Sequence, residues 1–302
     1  MKRAMVLGTL LAIGGLSIGV SAARQGGGGQ AQTVQVEKLH DNLFVLRGGG
    51  GNTAVFVTAD GITVVDSKNP GWGQPILDKI KELSPKPVTL LINTHTHGDH
   101  VSGNVQFPAS VDVVVQANTK TNMEKMPIFA ENANRGMAKR TFTDRMTIGK
   151  GADQIDLYYF GPGHTNGDAF VVFPALRTMH SGDIFANKGL PLIDAANGGS
   201  VLYIADSLNK AHAGIKGVDT IINGHMPAQT TWADLKTFAD LNQDFLTWAQ
   251  AELKAGKTPE AAAPGWVMPE KYVSAGYSAT ASTMFGGMAG RLQRLQEEMS
   301  KK

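Results

Sequence analysis

Short apolar runs separated by glycine, proline and aspartate characterise this chain, and they predict many short β-strands. The first four predicted strands lie at residues 34–37, 43–46, 52–58 and 61–66. Only a few residues separate each of these strands from the next, which favours an antiparallel meander. A run of four glycines, Gly48 to Gly51, falls between two of them; it is either a flexible hairpin tip or a loop over a pocket.

Helical spacing of apolar residues alternates with strands along the rest of the chain. Further strands are predicted at residues 88–92, 156–160, 169–173, 177–180 and 219–222. Helices are predicted at residues 74–83, 200–213, 231–253 and 279–301. The alternation predicts an α/β fold, with residues 34–302 as a single domain that ends in a helical extension from about residue 230.

The N-terminus has the pattern of a secretory signal peptide. Lys2 and Arg3 precede an apolar run over residues 4–20, and small residues follow it. An uncleaved membrane anchor is the alternative, but the run is short for a spanning helix and is interrupted by glycines. We therefore predict a signal peptide over residues 1–22, a Gly-rich linker over residues 23–33, and a periplasmic or secreted protein without a stable membrane anchor.

Charge and cysteine content narrow the range of functions. The chain has 28 basic and 26 acidic residues, and loss of residues 1–22 would remove two basic ones, so 28 − 2 = 26 and the net charge is zero with histidine neutral. A neutral total disfavours a nucleic-acid partner, because enzymes that act on nucleic acids usually carry a basic surface. The chain contains no cysteine, which excludes disulfides and thiolate metal ligands.

Metal-capable side chains are concentrated in segment 95–100 (HTHGDH), directly after a predicted strand. If that strand continues through His95 and His97, the alternation of side chains places both rings on one face. A glycine then permits a sharp turn. Asp99 and His100 follow on the turn, or in the first turn of a helix, where they can face a second metal.

Three further candidates lie far downstream, at or just after the ends of predicted strands: His164, Asp183 and His225. An isolated histidine is more often a solvated loop residue. The dense segment 95–100 together with three partners at strand ends instead predicts convergence on one site. Five imidazoles and two carboxylates suffice to hold two divalent cations, Zn²⁺ being the most suitable and iron or manganese the alternatives.

This combination resembles the metallo-β-lactamase superfamily over roughly residues 34 to 226. Segment 95–100 matches the His-x-His-x-Asp-His motif of that family in full, and each later ligand motif has a counterpart. The resemblance implies an αββα four-layer sandwich, in which two β-sheets are flanked by helices and the site lies at one edge. It also implies that one metal is held by His95, His97 and His164, the other by Asp99, His100 and His225, with Asp183 as the bridge.

The resulting prediction is an exported dinuclear metal-dependent hydrolase that acts on a small molecule. Two cations about 3.5–4 Å apart can share a water and lower its pKa. A metal-bound hydroxide would then attack the carbonyl of a small ester, thioester, lactone or amide. Asp99 is the predicted catalytic residue, which would orient the nucleophile and relay its proton. No nucleic-acid partner is expected, and the sequence leaves the oligomeric state open.

Asp183 is the most discriminating position for the choice among superfamily members. Subclasses of zinc β-lactamases carry Cys or Ser there, whereas an Asp resembles glyoxalase II, lactonases and phosphodiesterases. Export argues against a glyoxalase II-like thioesterase, which is usually cytosolic. The remaining alternatives are a β-lactamase that cleaves the β-lactam amide, a mononuclear iron enzyme resembling persulfide dioxygenase, and a non-catalytic module that binds metal or a partner.

Several other residues have two interpretations. Asp66 and Asp168 can each accept a proton from the second nitrogen of a ligand ring, or can simply close a turn. Lys188 is either a solvated lysine or a ligand for a substrate carboxylate. His180 is predicted to be structural, and Trp72 either forms a pocket wall or is an exposed loop residue.

Overall fold

Residues 33–278 and 282–301 are described by a computed structural model of this protein. The predicted signal peptide and the predicted linker up to residue 32 lie outside the described residues. The strands are β1 (Gln35–His40), β2 (Leu43–Arg47), β3 (Thr53–Val57), β4 (Ile62–Val65), β5 (Val88–Ile92), β6 (Asp112–Gln116), β7 (Arg140–Phe142), β8 (Arg145–Ile148), β9 (Ile155–Tyr158), β10 (Phe170–Phe173), β11 (Thr178–Gly182), β12 (Thr220–Asn223) and β13 (Thr230–Thr231). The α-helices are α1 (Gly73–Leu83), α2 (Gly98–Val101), α3 (Ala117–Met123), α4 (Pro127–Glu131), α5 (Ile204–Gly214), α6 (Trp232–Lys254), α7 (Pro259–Ala262), α8 (Glu270–Val273) and α9 (Gly287–Ser300).

Two mixed β-sheets form the centre of the fold. The first sheet contains β1 to β7 in sequence order. Its first four strands are antiparallel, as the predicted meander requires, and β4 to β7 pair in parallel. The second sheet has the order β13-β12-β11-β10-β9-β8, and only β11 and β12 pair in parallel there.

Alternate residues of each strand face different cores, because successive side chains point to opposite faces of a sheet. In β4, Val64 packs with α1, α3 and α4, whereas Val65 lies in the core between the two sheets. In β10, Val171 faces the same central core, and Phe170 packs with α5, α6 and α9. Three cores therefore separate four layers, and the predicted αββα sandwich is confirmed.

The carboxyl ends of the strands that carry the candidate residues meet at one edge of the sandwich. In the first sheet, β4 and β5 are parallel, so both end on the same side. In the second sheet, β11 and β12 are parallel, and β9 has the same direction because β9 and β11 are both antiparallel to β10. The loops after these five strand ends carry the residues of the site described below.

One local prediction is wrong, since the strand does not continue through His95 and His97. Strand β5 ends at Ile92, and the next residues form a loop that leads into α2. The physical reason is a change of hydrogen-bond partner. The carboxylate of Asp66 accepts bonds from the backbone N–H and the hydroxyl of Thr94, at 2.8 and 2.7 Å, and this diverts the chain from the sheet.

Other boundaries also differ from the sequence prediction. The helix predicted at residues 200–213 begins only at Ile204, and the helix predicted at residues 279–301 begins at Gly287. The stretch between α2 and β9 had no predicted element, yet it contains β6, β7 and β8 together with α3 and α4. Among the described residues, none of the helices combines the length and the apolar character needed to cross a bilayer.

Candidate metal centre

Segment 95–100 folds so that its three imidazole rings face one point. After the loop that follows β5, helix α2 begins at Gly98 with His97 as its N-cap. The ring centroid of His95 lies 4.8 Å from that of His97 and 4.2 Å from that of His100. The rings therefore converge although the segment is a loop and a single helical turn rather than a strand.

All seven predicted ligand residues come together, in two sets. The first ligand group consists of His95, His97, His164 and Asp183, whose potential ligand atoms all lie within 4.8 Å of one another. The second ligand group consists of Asp99, His100 and His225. The division matches the one that the family resemblance implies.

Asp183 contacts both ligand groups. Its Oδ2 lies 3.8 Å from Nε2 of His164 and 3.1 Å from Nε2 of His225, while its Oδ1 lies 3.3 Å from Nε2 of His100. The side chain is almost wholly buried, and a glycine with positive φ, Gly182, delivers it from the end of β11. This carboxylate is therefore placed to bridge two cations.

The polar atoms of this cluster fit a metal site better than a hydrogen-bonded network. His95 Nε2 and Asp183 Oδ1 are buried and have no hydrogen-bond partner. His97 Nδ1 and His164 Nε2 face each other at 2.9 Å, and His100 Nε2 and His225 Nε2 at 3.4 Å. Ligands of a tetrahedral zinc ion are about 3.3–3.4 Å apart, given bond lengths of about 2.0–2.1 Å. The donor set thus suits divalent cations.

Asp66 holds the ring of His100 in a fixed orientation. Its Oδ2 lies 2.7 Å from His100 Nδ1, and both residues are fully buried. A hydrogen bond at Nδ1 leaves the lone pair of Nε2 free to face the cluster. The sequence indicated this contact as one of two roles for Asp66, and the residue also closes the turn through Thr94.

Three further groups orient ligand rings, and none of them was predicted from the sequence. Asp194 Oδ2 lies 2.7 Å from His97 Nε2, Leu192 O lies 2.7 Å from His164 Nδ1, and Thr94 Oγ1 lies 3.0 Å from His95 Nδ1. Asp194 stands in a loop without a motif, and a backbone carbonyl leaves no sequence signal. Thr94 is the one group that the sequence could have indicated, because it directly precedes His95.

The remaining candidates take structural roles. Asp168 accepts hydrogen bonds from the N–H and hydroxyl of Thr165, so it closes the turn after His164 and contacts no ligand ring. His180 accepts from Gly182 N through Nδ1, and its Nε2 lies 3.0 Å from the carbonyl of Asn52. This pairing is the structural role expected for His180.

The Gly48–Gly51 loop packs against the second ligand group instead of projecting as a hairpin tip. Gly51 N donates to Asp99 O at 3.0 Å, and a Cβ on Gly51 would lie 2.2 Å from Cε1 of His100. Gly49 has a φ of 71°, and a Cβ there would lie 2.0 Å from the ring of Trp72. Glycine is therefore required at both positions, because a side chain would clash with the ring of His100 or of Trp72.

Lys68 anchors this loop, although nothing in the sequence marked it. Its side chain is fully buried, and Nζ donates to Leu46 O at 2.9 Å and to Gly51 O at 2.7 Å. Lysine is rarely buried, because the ammonium loses its hydration. Burial lowers the pKa of Lys68 to about 7, against a smaller opposing effect of the Asp66 carboxylate.

Burial and nearby carboxylates give the two ligand groups opposite charge preferences. Burial lowers the pKa of His164 to about 4 and holds that of His95 well below its usual value. Burial also disfavours the charged form of His225, but hydrogen bonds to Asp183 and Asp99 outweigh it and raise its pKa to about 9. His95 and His164 of the first ligand group therefore present neutral imidazoles, the form that coordinates metals.

A cavity of about 860 Å³ opens onto the cluster. Members of both ligand groups form its floor, among them His97, Asp99 and Asp183. Lys188 lines it, but the ammonium is paired with Asp234 at 2.7 Å. The volume of this cavity is typical of a binding site for a small molecule.

Known proteins show the same fold and family. The family model described as the metallo-beta-lactamase superfamily matches residues 46–225. The chain is 27% identical over 248 residues to a protein named metallo-beta-lactamase type 2 from Elizabethkingia meningoseptica, covering 76% of this chain and 91% of that relative. It is 30% identical over 189 residues to a hydroxyacylglutathione hydrolase from Nostoc punctiforme, covering 59% of this chain and 62% of that relative.

Solved structures agree at the level of the fold. A metallo-beta-lactamase from Pontibacter korlensis superposes with a TM-score of 0.59 at 20% identity, over 70% of this chain and 100% of that chain. The matched family model spans the strands and loops that carry all seven candidate ligands. The chain therefore belongs to the metallo-beta-lactamase superfamily, as a metal-dependent hydrolase.

Proposed function

We propose that this protein is an exported hydrolase with two divalent metals, which cleaves an ester, thioester, lactone or amide bond in a small molecule. The observation that carries the proposal is the position of Asp183, whose Oδ2 lies near His164 of the first ligand group and His225 of the second, while its Oδ1 faces His100 of the second. A single carboxylate placed in this way is suited to link two cations.

His95, His97 and His164 would hold one metal, Asp99, His100 and His225 the other, and Asp183 would contact both. Zinc is the proposed metal, because imidazole and carboxylate ligands without a thiolate suit it, and iron or manganese are the alternatives. When bound, such cations supply Lewis acidity and lower the pKa of coordinated water.

The protein's own groups supply orientation and a site for the proton. Asp66 and Asp194 fix the rings of His100 and His97 by hydrogen bonds at their other nitrogens. Asp99 lines the cavity, is partly exposed, and has Oδ2 3.3 Å from Nε2 of His225. Burial raises the pKa of Asp99, but the hydrogen bond from His225 and the charges of His100 and His225 together outweigh burial and lower it, so the carboxylate is ionised and can accept a proton at Oδ2.

Two alternatives have specific support. A β-lactamase activity is supported by the relative from Elizabethkingia meningoseptica, of which the alignment covers 91%. A thioesterase is supported by the relative named hydroxyacylglutathione hydrolase, of which 62% is covered. Asp183 at the bridging position favours the thioesterase over the β-lactamase. The predicted signal peptide over residues 1–22 supports export and a periplasmic or secreted location.

The first experiment is a substrate panel with the purified protein after metal analysis. We would assay a chromogenic cephalosporin, an aryl ester, a lactone and a thioester, with and without a chelator and with zinc restored. We expect two metals per chain and chelator-sensitive turnover of an ester, a lactone or a thioester. Turnover of the cephalosporin alone would establish the β-lactamase alternative, and no turnover by folded, metal-loaded protein would favour a non-catalytic module.

A further inference from the structure

A second cavity of about 330 Å³ adjoins the cavity over the ligand groups. The two cavities share Leu190, Leu192 and Met284 in their walls. The smaller one is otherwise lined mainly by apolar side chains, including Ile193 and Met288. Asp194 also lines it, but its Oδ2 is held by His97 Nε2 and Asn197 Nδ2. The second cavity therefore lies directly beside the first, across these shared side chains.

Arg291 on helix α9 lines the second cavity and has no acidic partner among the described residues. Its guanidinium donates through Nη2 to Pro191 O and lies 5.4 Å from the ring centroid of Phe245, while Nη1 is shielded from solvent and has no acceptor. Burial alone lowers the pKa of Arg291 to about 10, with no carboxylate opposing it.

Arg294, on the same helix, differs from Arg291 because it has an acidic partner. Arg294 also lines the cavity, but its Nε lies 2.9 Å from Oε1 of Glu298, and its Nη2 donates to Gly199 O at 3.0 Å. Arg294 is therefore neutralised within the protein, whereas Arg291 is not. Arg291 is half-buried beside an apolar cavity, and an anion in that cavity would supply the charge partner that its guanidinium lacks.

We propose that Arg291 binds an anionic group, a carboxylate in the first instance, at the end of an apolar part of the substrate. This inference rests on the proposed function, because it assumes that the bond to be cleaved lies over the ligand groups. It identifies the substrate class as an acid with an apolar stem whose carboxylate lies away from the scissile bond.

The first test measures binding and does not depend on turnover. We would titrate metal-loaded protein with hexanoate and with hexanamide, which share the apolar stem and differ in charge. We expect tighter binding of hexanoate, and a loss of about ten- to hundredfold in hexanoate affinity in Arg291→Gln with hexanamide unchanged. Arg294→Gln is the matched control on the same helix and is expected to retain most of the affinity for hexanoate.

Two results would overturn the proposal. The first is a wild-type protein that does not prefer hexanoate over hexanamide. The second is a folded Arg291→Gln variant that binds hexanoate as tightly as the wild type, since a carboxylate held only by the metals would behave in this way.

A kinetic test separates this inference from the proposed function. We would compare the 4-nitrophenyl ester of hexanoic acid with the 4-nitrophenyl monoester of glutaric acid, which carries a free carboxylate. Arg291→Gln is expected to lower kcat/KM for the charged ester about tenfold or more and to leave the neutral ester unchanged. If neither ester is hydrolysed by the wild type, the proposed function fails for esters, while the hexanoate titration still decides the role of Arg291.

Discussion

Replacement of the buried Lys68 by methionine gives the sharpest test of the physical reasoning. The substitution keeps the length and the apolar stem of the side chain and removes the ammonium that bonds Leu46 O and Gly51 O. The ordinary lysine pKa is 10.5 and that of Lys68 is about 7. The difference, 10.5 − 7 = 3.5, corresponds to about 5 kcal/mol of unfavourable free energy for keeping the ammonium charged in the folded protein.

The direction in which stability changes with pH follows from the number of protons that the folded and unfolded states bind. Between these two pKa values the unfolded chain holds a proton at Lys68 that the folded protein releases, so the wild type gains stability as pH rises. The cost is fully present below pH 7 and disappears above the pKa of the unfolded lysine. From pH 7 to pH 9 the wild type should gain roughly 2 kcal/mol relative to Lys68→Met.

The assay is urea unfolding of both proteins at several pH values, with the difference in free energy of unfolding taken at each pH. Ionisations common to both proteins cancel in this difference. The control is Lys86→Met, because Lys86 also donates to two backbone carbonyls, those of Thr58 and Ala59, but from an exposed position. A difference for Lys68→Met that stays flat with pH, or that changes no more than the difference for Lys86→Met, would refute a charge cost at Lys68.

Other substitutions test the site. Asp99→Ala should abolish turnover in a protein that remains folded by circular dichroism, and unchanged turnover would remove its catalytic role. His225→Ala should lower the metal content from two towards one per chain by elemental analysis, whereas loss of both metals would indicate coupled sites. Asp66→Asn should weaken binding of one metal about ten- to hundredfold in a chelator competition, because the His100 ring loses its orientation. Gly51→Ala should depress activity, since its Cβ would meet the His100 ring at 2.2 Å, and wild-type rates would show that the loop can move aside.

Local sequence determined most of the strands and the identity of the ligand cluster. Short apolar runs bounded by turn residues were sufficient to predict the meander of β1 to β4, because each of these strands pairs with its neighbour in sequence. The spacing within segment 95–100 was sufficient to predict a metal site, because few other functions place so many imidazoles and carboxylates together. Strands β6 to β8 were not recognised, although Val113 to Val115 in β6 form an apolar run like those of the predicted strands.

Tertiary structure decided the contacts between residues that are distant in sequence. His164 and His97 meet at 2.9 Å only because β5 and β9 end at the same edge of two different sheets. The orientation of His97 by Asp194, 97 residues away, depends on the packing of a loop that has no motif. Within the described part of the chain Arg291 forms no ion pair, and no linear pattern encodes this. Sequence determined which chemical groups are present, and the packing of the two sheets decided which of them meet, because distances across the chain are set by the whole fold.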